Sequence, residues 1–538
     1  MTRMNKTFTE QMVFMTVTLL IVKVLSALYR VPYQNILGDE GLYVYNQIYP
    51  FIGLCTICAL YGIPSAYAEY LKRGFIFRRL HVSLFLCFIV VLSILIHMYR
   101  HILASWMGDD QLSSLIEIVA IIIPITIVLG MIRGIFHYHQ YSEVVSISQL
   151  VEQIVRVIVI AIAIYLYFSV GLSLYTAAKV ALFGSVLGMI LTTFVLFMKY
   201  RHIKGEHYNI IHMNTKSSRY IEFFILMIAF ILTHILMLTI QSIDAFTVLN
   251  FIGSHWTIDN TMAAKGVFDR SYSFIQIGLI VATTFGFILI PYLDATNISY
   301  SLKLLKKSIK WVMLFSTLAT VGLINIMPMM NQAFFKTNQM NGELSLNMIT
   351  IIVVSIAIVL MSYLLTINAY KVVMSGFATM AVVKVFLNML LLPIVDFYAI
   401  SLANVMAMII FNIILFIVLY KHIAAVIHDE NMLDDSLSAT ETARLLTNKN
   451  EATIPNKMKK QDVLWGVNLF LVCFIMTLLL QAMLYIFSPI VTTRLDALIL
   501  MSSMVLIGAA IVLVCIKLFE LLTVEEATEL PVIKKIIK

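Results

Sequence analysis

The chain has 538 residues, 61% of them hydrophobic and 12% charged, with a mean hydropathy of +0.94 and a formal net charge of +8. Soluble domains are about 45–50% apolar and about 25% charged, which excludes a soluble globular fold, a disordered chain and a disulfide-stapled secreted domain. A membrane-spanning helix needs ~20 mainly apolar residues, and a chain of this length has room for a dozen or more.

A window of ~19 residues places fourteen spans along the chain. They fall at 11–31, 41–70, 81–98, 113–135, 150–170, 174–198, 220–244 and 266–292, then at 311–331, 347–368, 373–395, 397–420, 464–487 and 496–518. The first follows Arg3 and Lys6, is long, contains Lys23 and lacks a small-residue cleavage site, so it reads as a retained helix and not a signal peptide. Cys55, Cys58, Cys87, Cys473 and Cys515 all lie in apolar runs. Cys55 and Cys58 have redox or metal spacing, but no His or carboxylate stands beside them, and they read as helix-packing residues.

Orientation follows from the basic residues, because acidic ones contribute little to the rule. With the N-terminus in the cytoplasm, 27 Lys and Arg fall on inner segments and 5 on outer ones. That asymmetry predicts fourteen spans with both termini cytoplasmic. The positive charge then faces the anionic inner leaflet, and no nucleic-acid partner is needed to account for it. A faint internal repeat sets Asn35 to Gly38 against Asn250 to Gly253, and Gly41 and Gly53 against Gly266 and Gly278.

The expected fold is therefore an all-α polytopic membrane protein of about fourteen helices, with two pseudo-symmetric six-helix lobes and a C-terminal helix pair. The predicted divisions are an N-terminal lobe (1–200), a cytoplasmic linker (201–219) and a C-terminal lobe (220–424). A cytoplasmic polar loop (425–462), helices thirteen and fourteen (463–522) and a cytoplasmic tail (523–538) follow.

Apart from Arg30, Arg133 and Lys517, which lie within three residues of a span end and are counted with the flanking segments, five basic residues, Lys23, Arg156, Lys179, Arg270 and Lys384, fall within spans. Each costs at least ~2.5–3.5 kcal/mol at the bilayer centre, so each must face a cavity or a partner. Glu152 and Arg156, four apart, can form an intrahelical ion pair or serve a ligand. Lys179 sits near a helix end, from which it can snorkel to the surface. Arg270, beside Asp269, can be interfacial. Lys23 has no acid three or four residues away and is expected to line a water-filled cavity. Asp244 and Lys384 are lone charges in their own helices, and pairing across the bundle would satisfy both, in a binding role or a structural one. Pro50, Pro64, Pro124, Pro291, Pro328 and Pro393 lie in or beside spans and should kink them, as suits a bundle that rocks between two states.

Enzymatic function is not expected. A membrane enzyme needs a catalytic constellation at one membrane face, and the richest outer cluster, Arg100, His101, Asp109 and Asp110, has no nucleophile or metal-ligand spacing. No Gly-rich phosphate loop of the ATPase type is present.

Residues 33–50 (YQNILGDEGLYVYNQIYP), 61–70 (YGIPSAYAEY) and 151–156 (VEQIVR) resemble polysaccharide biosynthesis transporters. These are the stage V sporulation protein B-like and lipid II flippase-like members of the multidrug/oligosaccharidyl-lipid/polysaccharide exporter superfamily. The resemblance implies a flippase in the bacterial plasma membrane. It would carry a prenyl-diphosphate-linked sugar from the cytoplasmic to the outer leaflet by alternating access, with its prenyl tail in lipid beside spans thirteen and fourteen. Membrane lipids and envelope glycosyltransferases are the implied partners, and no cofactor or metal is expected. The diphosphate requires cations in a central cavity. Lys23 and Arg30 fit that role by position, Arg156 and Arg270 are further candidates, and Glu152 and Lys179 complete the candidate binding set. Flippases of this type can also hold sodium between an Asp of the seventh helix and polar residues of the eleventh. Asp244 matches the first position and Lys384 and Asn388 occupy the second, so the Lys384 ammonium is expected to stand in for the ion. The alternative within the superfamily is a multidrug cation antiporter, which would want an acidic cavity with aromatic walls.

Overall fold

Backbone amides in hydrocarbon have no water to bond, so long apolar runs close their hydrogen bonds internally as helices. A computed structural model of the chain follows this rule throughout its described residues, which are 8–75, 79–204, 220–280, 282–283, 298–435 and 454–522. The first lobe comprises α1 (Phe8–Leu28), α2 (Arg30–Ile57), a π-helical turn (Cys58–Gly62), α3 (Ile63–Lys72), α4 (Arg79–Met98), α5 (Arg100–Trp106), α6 (Ser113–Tyr138), α7 (Ser142–Val170) and α8 (Leu174–Lys204). The second comprises α9 (Tyr220–Phe251), α10 (Ile258–Gly278), α11 (Ile298–Phe335), α12 (Asn341–Asn347), α13 (Thr350–Thr366), α14 (Tyr370–Val395) and α15 (Tyr398–Asp435). The closing pair is α16 (Ile454–Phe487) and α17 (Arg494–Leu518).

Among the described residues, eleven helical stretches are long and apolar enough to span a bilayer, or twelve if α4 and α5, bent by 62°, form one broken span. The difference from fourteen has two sources. The first two predicted spans run together as one stretch of 53 residues, Leu20–Lys72, since the connection expected near 32–40 is itself helical. The eighth falls on α10, whose Asp259, Lys265, Asp269 and Arg270 break the apolar run, and its remainder lies largely outside the described residues. The expected linker (201–219) and tail (523–538) lie mostly outside them too. The expected polar loop is flanked by helix further than anticipated, since α15 continues to Asp435 and α16 begins at Ile454.

Of the predicted prolines, four lie inside helices and one opens a helix. Pro50 lies inside α2, Pro124 inside α6, Pro328 inside α11 and Pro393 inside α14, while Pro64 opens α3 after the π-turn. Pro291 lies outside the described residues. The sharpest break in α2 is Gly38, at φ +78°, a backbone conformation that costs a residue with a β-carbon energy but not glycine. It turns Asp39 toward the other lobe.

Buried apolar side chains form two large clusters, one drawn almost wholly from α1 to α8 and the other from α9 to α17. The asparagines aligned by the repeat make matching contacts across the seam between them. Asn35 donates to the Phe334 carbonyl at the end of α11 at 3.0 Å, and Asn250 donates to the Trp106 carbonyl at the end of α5 at 2.7 Å. The helices α16 and α17 pack on α11 through Trp311, Leu314 and Leu318, with Gln481 donating to Asn325 at 2.8 Å.

Candidate functional site

Between the lobes lies a cavity of about 200 Å³ whose walls include Lys23, Tyr49, Thr56, Tyr61, Arg156 and His234. Lys23 reaches it from α1 and donates to the Thr283 hydroxyl at 3.2 Å. Among the described residues no carboxylate lies within ion-pair distance of its ammonium. The Arg156 guanidinium enters from α7 and is held by Glu152 at 3.2 Å, Gln153 at 3.3 Å and the Thr56 hydroxyl at 3.3 Å. Arg30 is buried behind the wall, stacked 5.1 Å from the Tyr49 ring centroid and bonded to the Ser273 hydroxyl across the seam. Tyr61 and His234 stack at 4.1 Å and complete an aromatic side.

The local carboxylate is already divided. Glu152 accepts from Arg156 on one oxygen and from Arg133 on the other at 2.9 Å. Arg133, fully buried, also donates to the Ser148 hydroxyl at 3.0 Å and the Ala59 carbonyl. Around this cavity stand Lys23, Arg30, Arg133 and Arg156, with Glu152 as the carboxylate paired among them. The surplus is positive. In a low-dielectric site such a surplus favours an anion, and guanidinium forks match diphosphate oxygens geometrically.

On the side that the basic residues predict to be outer, the lobes are closed by α2 against α10. Arg270 pairs with Asp39, donates to Asn331 at 2.7 Å and covers the Phe335 ring at 4.6 Å, and Gln34 also donates to Asp39. The contact requires glycine at 266. A β-carbon there would overlap the Asp39 carbonyl and lie 3.2 Å from the Tyr43 amide nitrogen. Overpacking against backbone typically costs about 1–3 kcal/mol. Gly266→Ala is therefore expected to lower thermal stability by that amount and to expose a cysteine placed at Asn35 to a membrane-impermeant thiol reagent. Unchanged melting and unchanged labelling would contradict the seam. At the other end Arg73 of α3 pairs with Glu222 of α9, again across the lobes.

A second polar centre lies within the C-terminal lobe. The Lys384 ammonium meets Asp244 at 2.8 Å, the Asn388 side-chain oxygen at 2.9 Å and the Ile400 carbonyl at 3.3 Å. Asn388 donates to Asp244 at 2.8 Å and to Thr247 at 2.7 Å, and Tyr272 donates to the second Asp244 oxygen. Asp244, Lys384 and Asn388 are all fully buried. The ammonium sits among oxygen donors of the kind that would surround a small cation.

The structure thus brings Lys23 and Arg156 to one cavity, with Arg30 and Glu152 directly behind, and gathers Asp244, Lys384 and Asn388 into one cluster. It does not bring Lys179 or Arg270 to that cavity. Lys179 is 42% exposed and paired with Glu117 at 2.9 Å, as a cation near a helix end can be, and Arg270 belongs to the α2–α10 seam. Sequence reasoning missed Arg133, Asp39 and Tyr272 as members of these networks.

The family model described as polysaccharide biosynthesis protein matches residues 8–297. Over 352 residues the chain is 28% identical to the uncharacterized membrane protein YabM of Bacillus subtilis (strain 168), covering 63% of this chain and 66% of that one, just under two thirds of its length. Over 443 residues it is 22% identical to the lipid II flippase MurJ of the same organism, covering 75% and 80%. A solved structure of lipid II flippase MurJ in an inward closed conformation overlays with a TM-score of 0.60 at 14% identity, covering 94% of this chain and 98% of that one. At that identity the likeness is one of fold.

Proposed function

The chain belongs to the polysaccharide biosynthesis protein family, and from that premise we propose that it is a flippase for a prenyl-diphosphate-linked oligosaccharide or cell-wall precursor. The single observation that carries this reading is the positive surplus around the interlobe cavity, where Lys23 meets a hydroxyl and, among the described residues, no carboxylate, and Arg156 shares its carboxylate with Arg133. A cation antiporter would need the opposite charge in the same place.

The proposed cycle starts with the diphosphate in the cavity on Lys23 and Arg156, with Arg30 adding field from behind Tyr49. Glu152 positions Arg156. Rocking of the lobes about the cavity then keeps the inner Arg73–Glu222 contact closed and parts the outer Asp39–Arg270 contact, turning the site from the cytoplasmic leaflet to the outer one. In a bacterial plasma membrane with both termini cytoplasmic, exporting two negative charges gains about 4.6 kcal/mol per 100 mV. That drives net export provided the carrier resets empty. Envelope glycosyltransferases would supply the substrate.

Because Lys384 fills the oxygen cluster around Asp244, coupling is assigned to membrane potential or protons and not to sodium. In vesicles reconstituted with the intact protein, headgroup translocation is expected to run at the same rate in sodium and in potassium buffer. Stimulation by sodium would contradict this assignment while leaving the flippase reading in place. The flippase reading itself is tested by the appearance of a prenyl-diphosphate sugar in the opposite leaflet, measured with an impermeant headgroup reagent.

A further inference from the structure

Leu238 of α9 separates two compartments of opposite chemistry. One side of it lines the cationic cavity, and the other lines a groove of about 650 Å³ between α2, α9 and α14. The groove is bordered by Phe51, Leu54, Ile235, Phe246, Phe386 and Met389. It faces outward from the bundle, with Phe386 62% and Val382 69% exposed. Of its polar members, Ser242 already spends its hydroxyl on the Leu238 carbonyl at 2.8 Å.

The partition is thin because α2 carries glycine at 53. A β-carbon there would stand 3.0 Å from both terminal carbons of Leu238, so the leucine seats directly on the α2 backbone. Since α2 and α9 belong to opposite lobes, parting the lobes lifts Leu238 off Gly53 and joins the two spaces.

We propose that Leu238 and Gly53 form a side gate through which the hydrocarbon chain of the transported lipid leaves the cavity, and that the α2, α9 and α14 groove holds that chain. This rests on reading the cavity as a diphosphate headgroup site. A lipid whose headgroup is bound among cations must keep its chain in an apolar space adjoining that site. The groove adjoins it through one side chain. The pair α16 and α17, beside which the sequence places the tail, packs on α11, and none of its described residues lines the cavity.

The test uses the full chain in phosphatidylethanolamine and phosphatidylglycerol vesicles with a polyprenyl diphosphate carrying a diazirine in its chain. Photolabel is expected on the peptide bearing Val382, Phe386 and Met389, competed by unlabelled prenyl diphosphate and not by phospholipid. Leu238→Trp, which thickens the gate, and Ala381→Trp, which fills the groove from its outer side, are each expected to cut that label at least fivefold. Headgroup binding is read separately, as the rise in melting temperature produced by inorganic diphosphate, which Ala381→Trp, outside the cavity, should retain. Label confined to α16 and α17 with that rise intact would overturn the gate and spare the headgroup site. Equal labelling by a diazirine phospholipid, or label unchanged in both variants, would also overturn it. Loss of both competed label and diphosphate stabilisation would remove the gate together with the reading beneath it.

Discussion

Lys384→Met is expected to destabilise the protein by about 3–5 kcal/mol, and adding Asp244→Asn is expected to restore most of that loss. Both side chains are fully buried and lie 2.8 Å apart. Removing one member of such a pair leaves an uncompensated buried charge, whereas replacing both leaves none, and that asymmetry is the known behaviour of buried ion pairs. Without its ammonium, the cluster keeps Asp244 and the side-chain oxygens of Thr247 and Asn388, a set of hard donors that suits a small cation. Sodium, and not choline, should therefore raise the melting temperature of Lys384→Met while leaving that of the intact protein unchanged. Melting curves of the purified protein in both salts decide the matter. If the single and double variants melt alike, or sodium has no selective effect on Lys384→Met, the ammonium is not acting in place of an ion.

The second large effect concerns Lys23. Its ammonium faces the cavity with a hydroxyl for a partner, so little in the resting protein depends on it. A charge-assisted hydrogen bond to bound diphosphate contributes about 1.5–3 kcal/mol, and tenfold in rate corresponds to about 1.4 kcal/mol. Lys23→Ala is thus expected to slow headgroup translocation about 10- to 100-fold at limiting substrate while leaving the melting temperature unchanged or slightly raised. Lys23→Arg keeps the charge and should retain most of the rate. Equal loss in Ala and Arg variants would point to packing, not charge.

How far the sequence reaches can be judged from particular residues. Helices were legible because apolar length alone specifies them in a membrane, and the meeting of Asp244 with Lys384 was legible because each is a lone charge with no partner on its own helix. Arg133 was not. It stands near the end of its predicted span and sorts with the inner basic residues, yet antiparallel neighbours bring the end of α6 beside the start of α7, where Glu152 waits. The i,i+4 pairing of Glu152 with Arg156 hid the need for a second cation. Asp39 was lost for a different reason. The stretch around it reads as a polar connection between two spans, and only the turn at Gly38 within a continuing helix aims it at Arg270. Lys179 shows the limit from the other side, because a cation near a helix end can be satisfied by a surface carboxylate such as Glu117, and depth in the bilayer is not written in the local sequence.

In the proposed function, the cationic interlobe cavity carries an anionic lipid headgroup across the membrane. The most direct measurement places the purified protein in sealed vesicles with a prenyl-diphosphate sugar in one leaflet and follows its exposure to an impermeant headgroup reagent. A cationic dye is tested in parallel vesicles. Headgroup exposure is expected to depend on the protein and to collapse with Lys23→Ala, with no protein-dependent movement of the dye. Headgroups that stay in their leaflet while the dye is expelled would contradict it and put a cation antiporter in its place.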